Sequence, residues 1–391
     1  MRKLFTLILL IVSSIFINAQ EKTSFNSLEE ALKTPEKVLY LDIYNPDLES
    51  LPESFGKLVN LKRLNINCKN LKKLPESIGK LKSLEVFTVI FSQFISLPKS
   101  IGELQNLKVI NMSSGQLISL PESIGNLSSL TELSFGGNKL TGLPGSIGNL
   151  TNLETLFLIS NQITSIPEGI GKLIALKKLT LADNKLNSLP KSIEKLTNLR
   201  ILNISNNQFT IIPESVMELK NLSELNLSGN QLTSLPETFG EFTQLYILNL
   251  VSNQLTSLPK SFGKLVNIEE LYISRNKLTK LPESFGNLSN LTMLYANNNK
   301  LTELPVSIGN LKNVQMINLN NNQLTNIPES IGNMSGLSDL ILNSNQLTDM
   351  PESISKLTNL YRLEMTDNQL NVDTMKKIMK LVSEECECSF Q

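Results

Sequence analysis

The chain has 391 residues, and its 36 basic and 36 acidic side chains give no net charge at neutral pH. This balance predicts no basic stripe for nucleic acid or for an acidic membrane surface. The sequence has no histidine, so it lacks the usual general base, the Ser–His and Cys–His nucleophile pairs and the commonest metal ligand; we expect no enzyme activity, no cofactor and no metal site.

The first 19 residues have the pattern of a secretory signal sequence. Arg2 and Lys3 precede an apolar run over residues 4–17, and Ala19 offers a small residue for cleavage. Cleavage there removes two of the 36 basic residues and leaves 34 against 36 acidic ones, a net charge of −2. The alternative is a retained membrane anchor, although the run is shorter than the roughly 20 residues of a spanning helix. We therefore expect a mature protein, without membrane insertion, that is periplasmic, surface-bound or released.

Residues 20–37 are predicted to form an N-terminal cap. Ser27 and Glu30 form a capping box around a short helix that includes Leu28, and Pro35 ends it. Such a segment would cover the open apolar end of a stack of repeats, which is the role of terminal caps in repeat proteins. The first strand is predicted immediately afterwards, from Tyr40 to Tyr44.

A 23-residue unit repeats over residues 38–370, and its proline recurs fourteen times from Pro52 to Pro351 without a slip in spacing. In one copy, Leu156 and Leu158 alternate with outward residues, which predicts a short strand. The return segment after Pro167 is too short for more than a turn or two of helix. Gly171 lies where eleven of the fourteen copies have glycine, which indicates a positive φ or a crowded backbone. We expect the three coils that instead carry Glu194, Met217 and Ser355 to turn differently.

An asparagine closes the strand in eleven consecutive copies, and we expect its side chain to bond backbone groups of the next coil. The first four copies have Pro46, Lys69, Ser92 and Gly115 there, so less regular turns are predicted at the N-terminal end. The predicted ladder consists of Asn138, Asn161, Asn184, Asn207, Asn230, Asn253, Asn276, Asn299, Asn322, Asn345 and Asn368.

The unit, L-x-x-L-x-L-x-x-N-x-L followed by LPxxIGxLxxL, resembles the 23-residue class of leucine-rich repeat proteins, which includes Ras-group scaffolds. The resemblance implies an α/β solenoid of horseshoe shape. About fifteen short parallel strands would line its concave face, and short helical or 3-10 turns its convex face. The motif is specific for the fold and does not identify a partner.

Residues 371–391 resemble the C-terminal caps of bacterial repeat proteins of this class. Met375, Ile378, Met379 and Val382 predict an amphipathic helix, and residues 386–390 alternate like a strand. Cys386 and Cys388 are expected to be reduced thiols that point into the terminal core, since a bond between them would close a strained small ring. Cys68 lies near the opposite end of the solenoid, too far to pair with either of them.

Outward strand residues are free to vary, so we expect partner specificity to reside on the concave face. Most of these residues are small and polar, and three apolar or aromatic clusters interrupt them. One contains Ile90 and Phe91, with Val86 and Val109; the second contains Phe157 and Ile159, with Lys178 and Asp183 one coil further on. The third contains Tyr272, Tyr295, Arg275, Met293 and Met316, and residue types common at interface hot spots favour it. The alternative is that aromatic residues merely suit exposed strands.

The pattern favours a secreted or surface-displayed, non-catalytic bacterial repeat protein that is monomeric and binds another protein. A glycan-binding surface protein is the alternative, because aromatic and asparagine-rich surfaces also suit sugars. An intracellular scaffold for a small GTPase would require that the signal sequence is not used.

Overall fold

The computed structural model describes residues 22–390, so the predicted signal sequence lies outside the described residues. Within this range seventeen parallel strands form one sheet, and each strand pairs with the next in sequence. The fifteen predicted repeat strands, β2 to β16, are confirmed, and one further strand lies at each end. No helix within residues 22–390 is long and apolar enough to cross a membrane.

The strand and helix bounds show the regular spacing. Strands β1 to β5 are Ser24–Phe25, Tyr40–Tyr44, Arg63–Asn67, Val86–Ile90 and Val109–Ser113. Strands β6 to β11 are Glu132–Ser134, Thr155–Phe157, Lys178–Thr180, Ile201–Asn203, Glu224–Asn226 and Ile247–Asn249. Strands β12 to β17 are Glu270–Tyr272, Met293–Tyr295, Met316–Asn318, Asp339–Ile341, Arg362–Glu364 and Glu387–Ser389. The helices are α1, Leu28–Ala31, and α2, Val372–Leu381.

The asparagine ladder is confirmed, with one correction to its direction. The Oδ1 atom of Asn230 accepts the N–H of Phe209 at 3.1 Å, and its Nδ2 donates to the carbonyl of Ile204 at 3.1 Å. Both partners belong to the preceding coil, not to the next one as the sequence predicted. The amide also donates to the carbonyl of Leu227 in its own coil at 3.0 Å. The same pattern recurs at all eleven ladder positions.

The N-terminal coils differ from the others in strand length. Strands β2 to β5 have five residues each, whereas β6 to β16 have three. The change coincides with Asn138, whose Nδ2 donates to the carbonyls of Phe135 and Gly136, immediately after β6. The side-chain amide of Asn138 thus bonds the carbonyls of the two residues that would be the fourth and fifth of a longer β6 strand. The longer strands were not predicted; in the turns themselves, the third and fourth coils already have the left-handed residue of the later coils, at Phe91 and Ser114.

Five-residue 3-10 turns follow the repeat prolines on the convex side, from Glu53–Lys57 to Glu352–Lys356. Crowding explains why glycine recurs in these turns, since a Cβ on Gly171 would clash with the carbonyl oxygen of Ser192. The expectation of different turns is wrong at Glu194 and Ser355; in the Met217 coil the preceding Pro213 does differ, with ψ of 134° against 152° at Pro190 and 146° at Pro351. All three coils keep the five-residue turn.

A second ladder on the convex side links the glutamate after a repeat proline to the next coil. Glu237 accepts the N–H of Lys260 at 3.1 Å and the N–H of Ser261 at 2.9 Å. Hydrogen bonding to the Ser261 backbone lowers the pKa of Glu237. These N–H groups open a 3-10 turn and have no partner within it, so the carboxylate caps the neighbouring coil.

One continuous apolar core runs between the sheet and the convex turns. Its leucines and isoleucines are fully buried in coil after coil, and phenylalanine replaces isoleucine in part of the convex column. The rings of Phe239, Phe262 and Phe285 stack in successive coils, with 6.2 Å between neighbouring centroids. Each coil therefore buries its apolar residues only against its neighbours, as in other solenoids.

The N-terminal cap is more elaborate than predicted. Ser27 caps α1 by accepting the N–H of Glu30, but the Glu30 carboxylate pairs with Lys22 at 2.8 Å instead of completing a capping box. Pro35 begins a 3-10 turn, Pro35–Lys37. Strand β1 precedes the helix and extends the sheet beyond the first coil.

The C-terminal cap has the predicted helix and strand. Ile378 of α2 is fully buried, and β17 pairs with β16; Met379, predicted to face the core, is exposed instead. Cys386 and Cys388 are free and pack against the end of the core, with 3.8 Å between their sulfur atoms. Burial raises the pKa of the Cys386 thiol to about 12 and also raises the pKa of Cys388.

Candidate binding surface on the concave face

The sheet face that points away from the core, here called the concave face, is built from columns of outward side chains. Parallel strands in register place equivalent residues side by side, so Asn249, Tyr272 and Tyr295 are direct neighbours. Successive strands are about 4.8 Å apart, close enough for side chains in one column to touch. A position in the repeat therefore becomes a line of side chains across the sheet.

The two predicted tyrosines form a stacked pair on this face. The ring centroids of Tyr272 and Tyr295 are 5.1 Å apart, and the rings are inclined by only 12°. The Tyr272 hydroxyl donates to the Glu270 carboxylate at 2.7 Å, and this bond, with burial, raises the pKa of Tyr272 to about 12. Both rings are half-buried. Neighbouring side chains therefore hold part of the stacked pair, and the remaining ring surface stays accessible to a partner.

Methionines extend the tyrosine cluster, as predicted. Met293 and Met316 are half-buried neighbours in the column that also contains Glu270. Their thioethers are flexible and polarizable, which suits an adaptable contact surface. The structure therefore brings Tyr272, Tyr295, Met293 and Met316 together on β12 to β14.

The second cluster lies five coils nearer the N-terminus and is smaller. Lys178 lies above the ring of Phe157, with 5.0 Å from its Nζ to the ring centroid. Ile159 is 39 % exposed and follows β7. Asp183 lies in the turn after β8 and accepts a hydrogen bond from Asn206 at 2.8 Å. A shallow pocket on the concave face begins at Phe157 and Lys178 and extends to Asn249.

Phe91 and Arg275 lie at the rim of the concave face, which corrects their predicted place on strands. Each adopts a left-handed backbone conformation, with φ of 59° and 56°. The same conformation recurs in thirteen consecutive coils at the position before the ladder residue. Of the other eleven residues there, seven are Gly, Asn or Asp, which adopt this region most readily, and four are Ser; for other L-residues the conformation costs about 1–2 kcal/mol.

The first predicted cluster, which contains Ile90 and Phe91, is therefore divided between the concave face and its rim. Ile90 ends β4 and is half-buried, with Val86 and Val109 at outward positions of neighbouring strands. Phe91 is 52 % exposed in the turn that follows. The three predicted clusters remain separate sites along the sheet.

A row of asparagines between the second and third clusters was missed by the sequence reasoning. Asn203, Asn226 and Asn249 are neighbours in the column that continues to Tyr272. The signal was present in the sequence, because all three occupy the same outward position of the repeat. Small polar residues are common at outward positions of this repeat, so the row does not stand out in the sequence as the aromatic clusters do.

The described residues show no arrangement typical of a metal centre. No group of three or more His, Cys, Asp or Glu side chains within residues 22–390 could hold a metal ion.

Comparison with family models identifies leucine-rich repeats along most of the chain. A leucine-rich repeat region model matches residues 88–181 and 166–252, and a leucine rich repeat model matches residues 243–301 and 312–370. A model of two leucine rich repeat copies matches residues 289–333. No curated protein gives a match.

Several solved structures are similar to this chain. A leucine-rich repeat protein of Leptospira interrogans is 34% identical, with a TM-score of 0.69, and the match covers 94% of this chain and 100% of that one. An internalin, inlF, of Listeria monocytogenes is 27% identical, with a TM-score of 0.70, covering 79% of this chain and 87% of that one. The Toll–Spatzle complex of Drosophila, at 22% identity, shares the fold with a TM-score of 0.81 over 94% of this chain and 52% of that one.

Proposed function

This chain belongs to the leucine-rich repeat family, and we propose that it binds a partner protein on its concave face without catalysing a reaction. Leucine-rich repeats form extended surfaces that typically bind other proteins. The observation that carries the choice of face is the stack of Tyr272 on Tyr295, with Met293 and Met316 beside it. Buried aromatic anchors dominate the energy of many protein interfaces.

The hydrogen bond from Tyr272 to Glu270 supports a role in binding. It restrains the first ring, and the stack restrains the second, so little side-chain freedom remains to be lost when a partner covers them. Arg275 lies three residues beyond Tyr272 and keeps a large side chain where its backbone conformation is unfavourable. A binding role accounts for a side chain that the fold itself does not favour.

The test is the double substitution Tyr272→Ala with Tyr295→Ala. Both rings project away from the core, so their removal leaves no cavity and the melting temperature is expected to stay unchanged. Each buried hot-spot aromatic contributes about 2 kcal/mol or more, so affinity for a captured protein partner is expected to fall by at least about a hundredfold.

Phe157→Ala is the competing variant, because it truncates an aromatic side chain on the same face near the middle of the sheet. Loss of binding in this variant alone would move the site to the second cluster. If neither variant weakens binding, or if only glycans are captured, the proposal of a concave protein-binding site fails.

We also propose that the protein is exported. Support comes from the sequence alone: Arg2 and Lys3, the apolar run over residues 4–17, and the candidate cleavage position at Ala19. N-terminal sequencing of protein recovered from the envelope or the medium is expected to begin at Gln20. Recovery of the intact chain from the cytoplasm, beginning at Met1, would contradict export and favour an intracellular scaffold.

A further inference from the structure

The column of outward residues that opens each strand contains two carboxylates without a basic partner. Its members from β9 to β14 are Ile201, Glu224, Ile247, Glu270, Met293 and Met316. Glu224 and Glu270 lie on the two strands that flank Ile247, each about 4.8 Å from the strand of Ile247. Neither carboxylate pairs with a lysine or arginine within residues 22–390.

A tyrosine hydroxyl orients each of these carboxylates. Tyr246, which is 37 % exposed, donates to Oε1 of Glu224 at 2.6 Å, and Tyr272 donates to Oε2 of Glu270 at 2.7 Å. A neutral hydroxyl leaves the negative charge in place, and the bond to Glu224 raises the pKa of Tyr246. The second oxygen of each carboxylate accepts no hydrogen bond in the described part of the chain. One acceptor atom therefore remains available on each side of Ile247.

The aromatic ring beside Glu270 points independently to a cationic ligand. Tyr272 and Tyr295 stack on each other, so one face of the Tyr272 ring is covered from β13 and the other face is turned towards β11. The outward residues of β11 are Ile247 and Asn249, and neither is aromatic. A free aromatic face attracts a cation, and in proteins that cation is most often a guanidinium.

Two cations of the chain on this face lie far from Ile247. Lys178 is three strands away, and its ammonium lies above the Phe157 ring of β7, on the side away from Ile247. Arg275 is at the rim, five positions along the repeat from the column of Ile247, a span of about 16 Å. Exposed charges farther apart than about 8 Å are largely screened at physiological salt. These two cations therefore do not neutralise the carboxylates beside Ile247.

The edge at which the strands begin adds one charge of each sign. Arg200 precedes β9, two strands and about 10 Å from Ile247, whereas Glu269 precedes β12, on the next strand. Both side chains are exposed. The charged side chains nearest to Ile247 are therefore Glu224, Glu269 and Glu270, and the local charge is negative.

From this arrangement we infer that the concave face binds an arginine side chain of the partner protein above Ile247; the inference rests on the proposed function. The guanidinium lies between the carboxylates of Glu224 and Glu270, donates to their free oxygens and packs against the free face of Tyr272. A lysine fits less well, because its ammonium is a point charge without a flat face. We call Glu224, Ile247, Glu270 and Tyr272 the arginine site.

Apolar side chains on both sides favour an arginine that belongs to a protein segment. Ile201 lies beyond Glu224 in the column, and Met293 lies beyond Glu270, so apolar and acidic side chains alternate. Ile201, Glu224 and Ile247 also line the shallow pocket of this face, which has a volume of about 270 Å³. Apolar neighbours of the arginine in a protein would cover these groups, whereas a small polyamine would leave them in water.

The probe is a peptide of about eight residues, long enough to span the column from Ile201 to Met293. It has one central arginine among leucine and alanine, blocked ends and a neutral fluorophore, so arginine is its only charge. The citrulline peptide removes this charge and keeps the side-chain shape, and the lysine peptide keeps the charge alone. Fluorescence anisotropy with the mature chain is expected to show the arginine peptide binding at least about tenfold more tightly than either control.

Glu270→Gln is the decisive variant, because the glutamine carbonyl still accepts the Tyr272 hydroxyl while the negative charge is removed. It is expected to weaken binding of the arginine peptide by about tenfold or more without lowering the melting temperature. Glu132→Gln is the matched control: Glu132 is half-buried in the same column, four strands before Glu224. Binding is expected to be unchanged in this control.

The inference is overturned if the wild-type chain does not bind the arginine peptide or binds the citrulline or lysine peptide as tightly. It is also overturned if Glu270→Gln binds the arginine peptide as tightly as wild type, or if Glu132→Gln loses as much affinity as Glu270→Gln. Each of these results leaves the proposed function standing when the tyrosine double variant still loses a captured protein partner. Full partner binding in the tyrosine double variant would instead contradict the proposed function, whatever the peptides show.

Discussion

Asparagine has two roles in this solenoid, and the direction of its side chain decides which one. Asn230 points inward, is buried and satisfies backbone groups of two coils on both its oxygen and its nitrogen. Asn226, four residues earlier, points outward and uses only its oxygen within the chain. The same residue type therefore bonds with both ends of its amide at one position and with its oxygen alone at the other.

Asn230→Ala is expected to destabilise the protein by roughly 1–3 kcal/mol, because the N–H of Phe209 loses its acceptor in a buried place. Chemical denaturation measures the change in the free energy of unfolding. Asn221→Ala is the control: this exposed side chain also donates to a carbonyl of the preceding coil, that of Thr197 at 2.8 Å, but water can replace it. Equal stability of the Asn230 variant and wild type would show that the ladder bonds contribute nothing.

Each coil is joined to its neighbours by two ladders of hydrogen bonds, one made by asparagines and one made by glutamates. The asparagine ladder joins the ends of the strands, and the glutamate ladder joins the 3-10 turns on the convex side. Hydrogen bonds from the serine of the next coil also lower the pKa values of Glu76, Glu122 and Glu168. The convex ladder therefore depends on ionised carboxylates.

This dependence predicts a loss of stability in acid. A carboxyl whose pKa is lower in the folded state stabilises the fold above its unfolded pKa, and the contribution disappears as the pH falls through the folded value. The melting temperature is expected to fall below about pH 4.5. Glu237→Gln is expected to reduce this fall, and Glu269→Gln, an exposed glutamate before β12, is expected to leave it unchanged. The same acid sensitivity in Glu237→Gln and wild type would contradict a role for the carboxylate.

The periodic elements were predictable from the sequence, and the local exceptions were not. The strands, the proline turns and Asn230 recur every 23 residues, so one copy predicts all of them. Strand β1, Ser24–Phe25, has two residues outside the repeat, and no periodicity can reveal it. Gly137 and Gly229 point to the left-handed column, but Phe91 and Arg275 are residue types that the sequence alone places on strands.

At the scale of the whole molecule, each coil packs only on its neighbours, and β1 and β17 end the sheet at its two caps. The concave side chains lie outside this core, so substitutions there are expected to change binding independently of folding. The tyrosines on β12 and β13 and the asparagines on β9 to β11 lie in one continuous column of the concave face. A single extended surface is the basis of both proposals.

The most direct measurement is methyl NMR of the mature chain with labelled methionines, in the presence of a captured protein partner. Met293 and Met316 report on the concave face, and the exposed Met379 reports on the C-terminal cap. The account predicts that the partner shifts or broadens the Met293 and Met316 signals and leaves the Met379 signal unchanged. Unchanged Met293 and Met316 signals together with a shifted Met379 signal would contradict it.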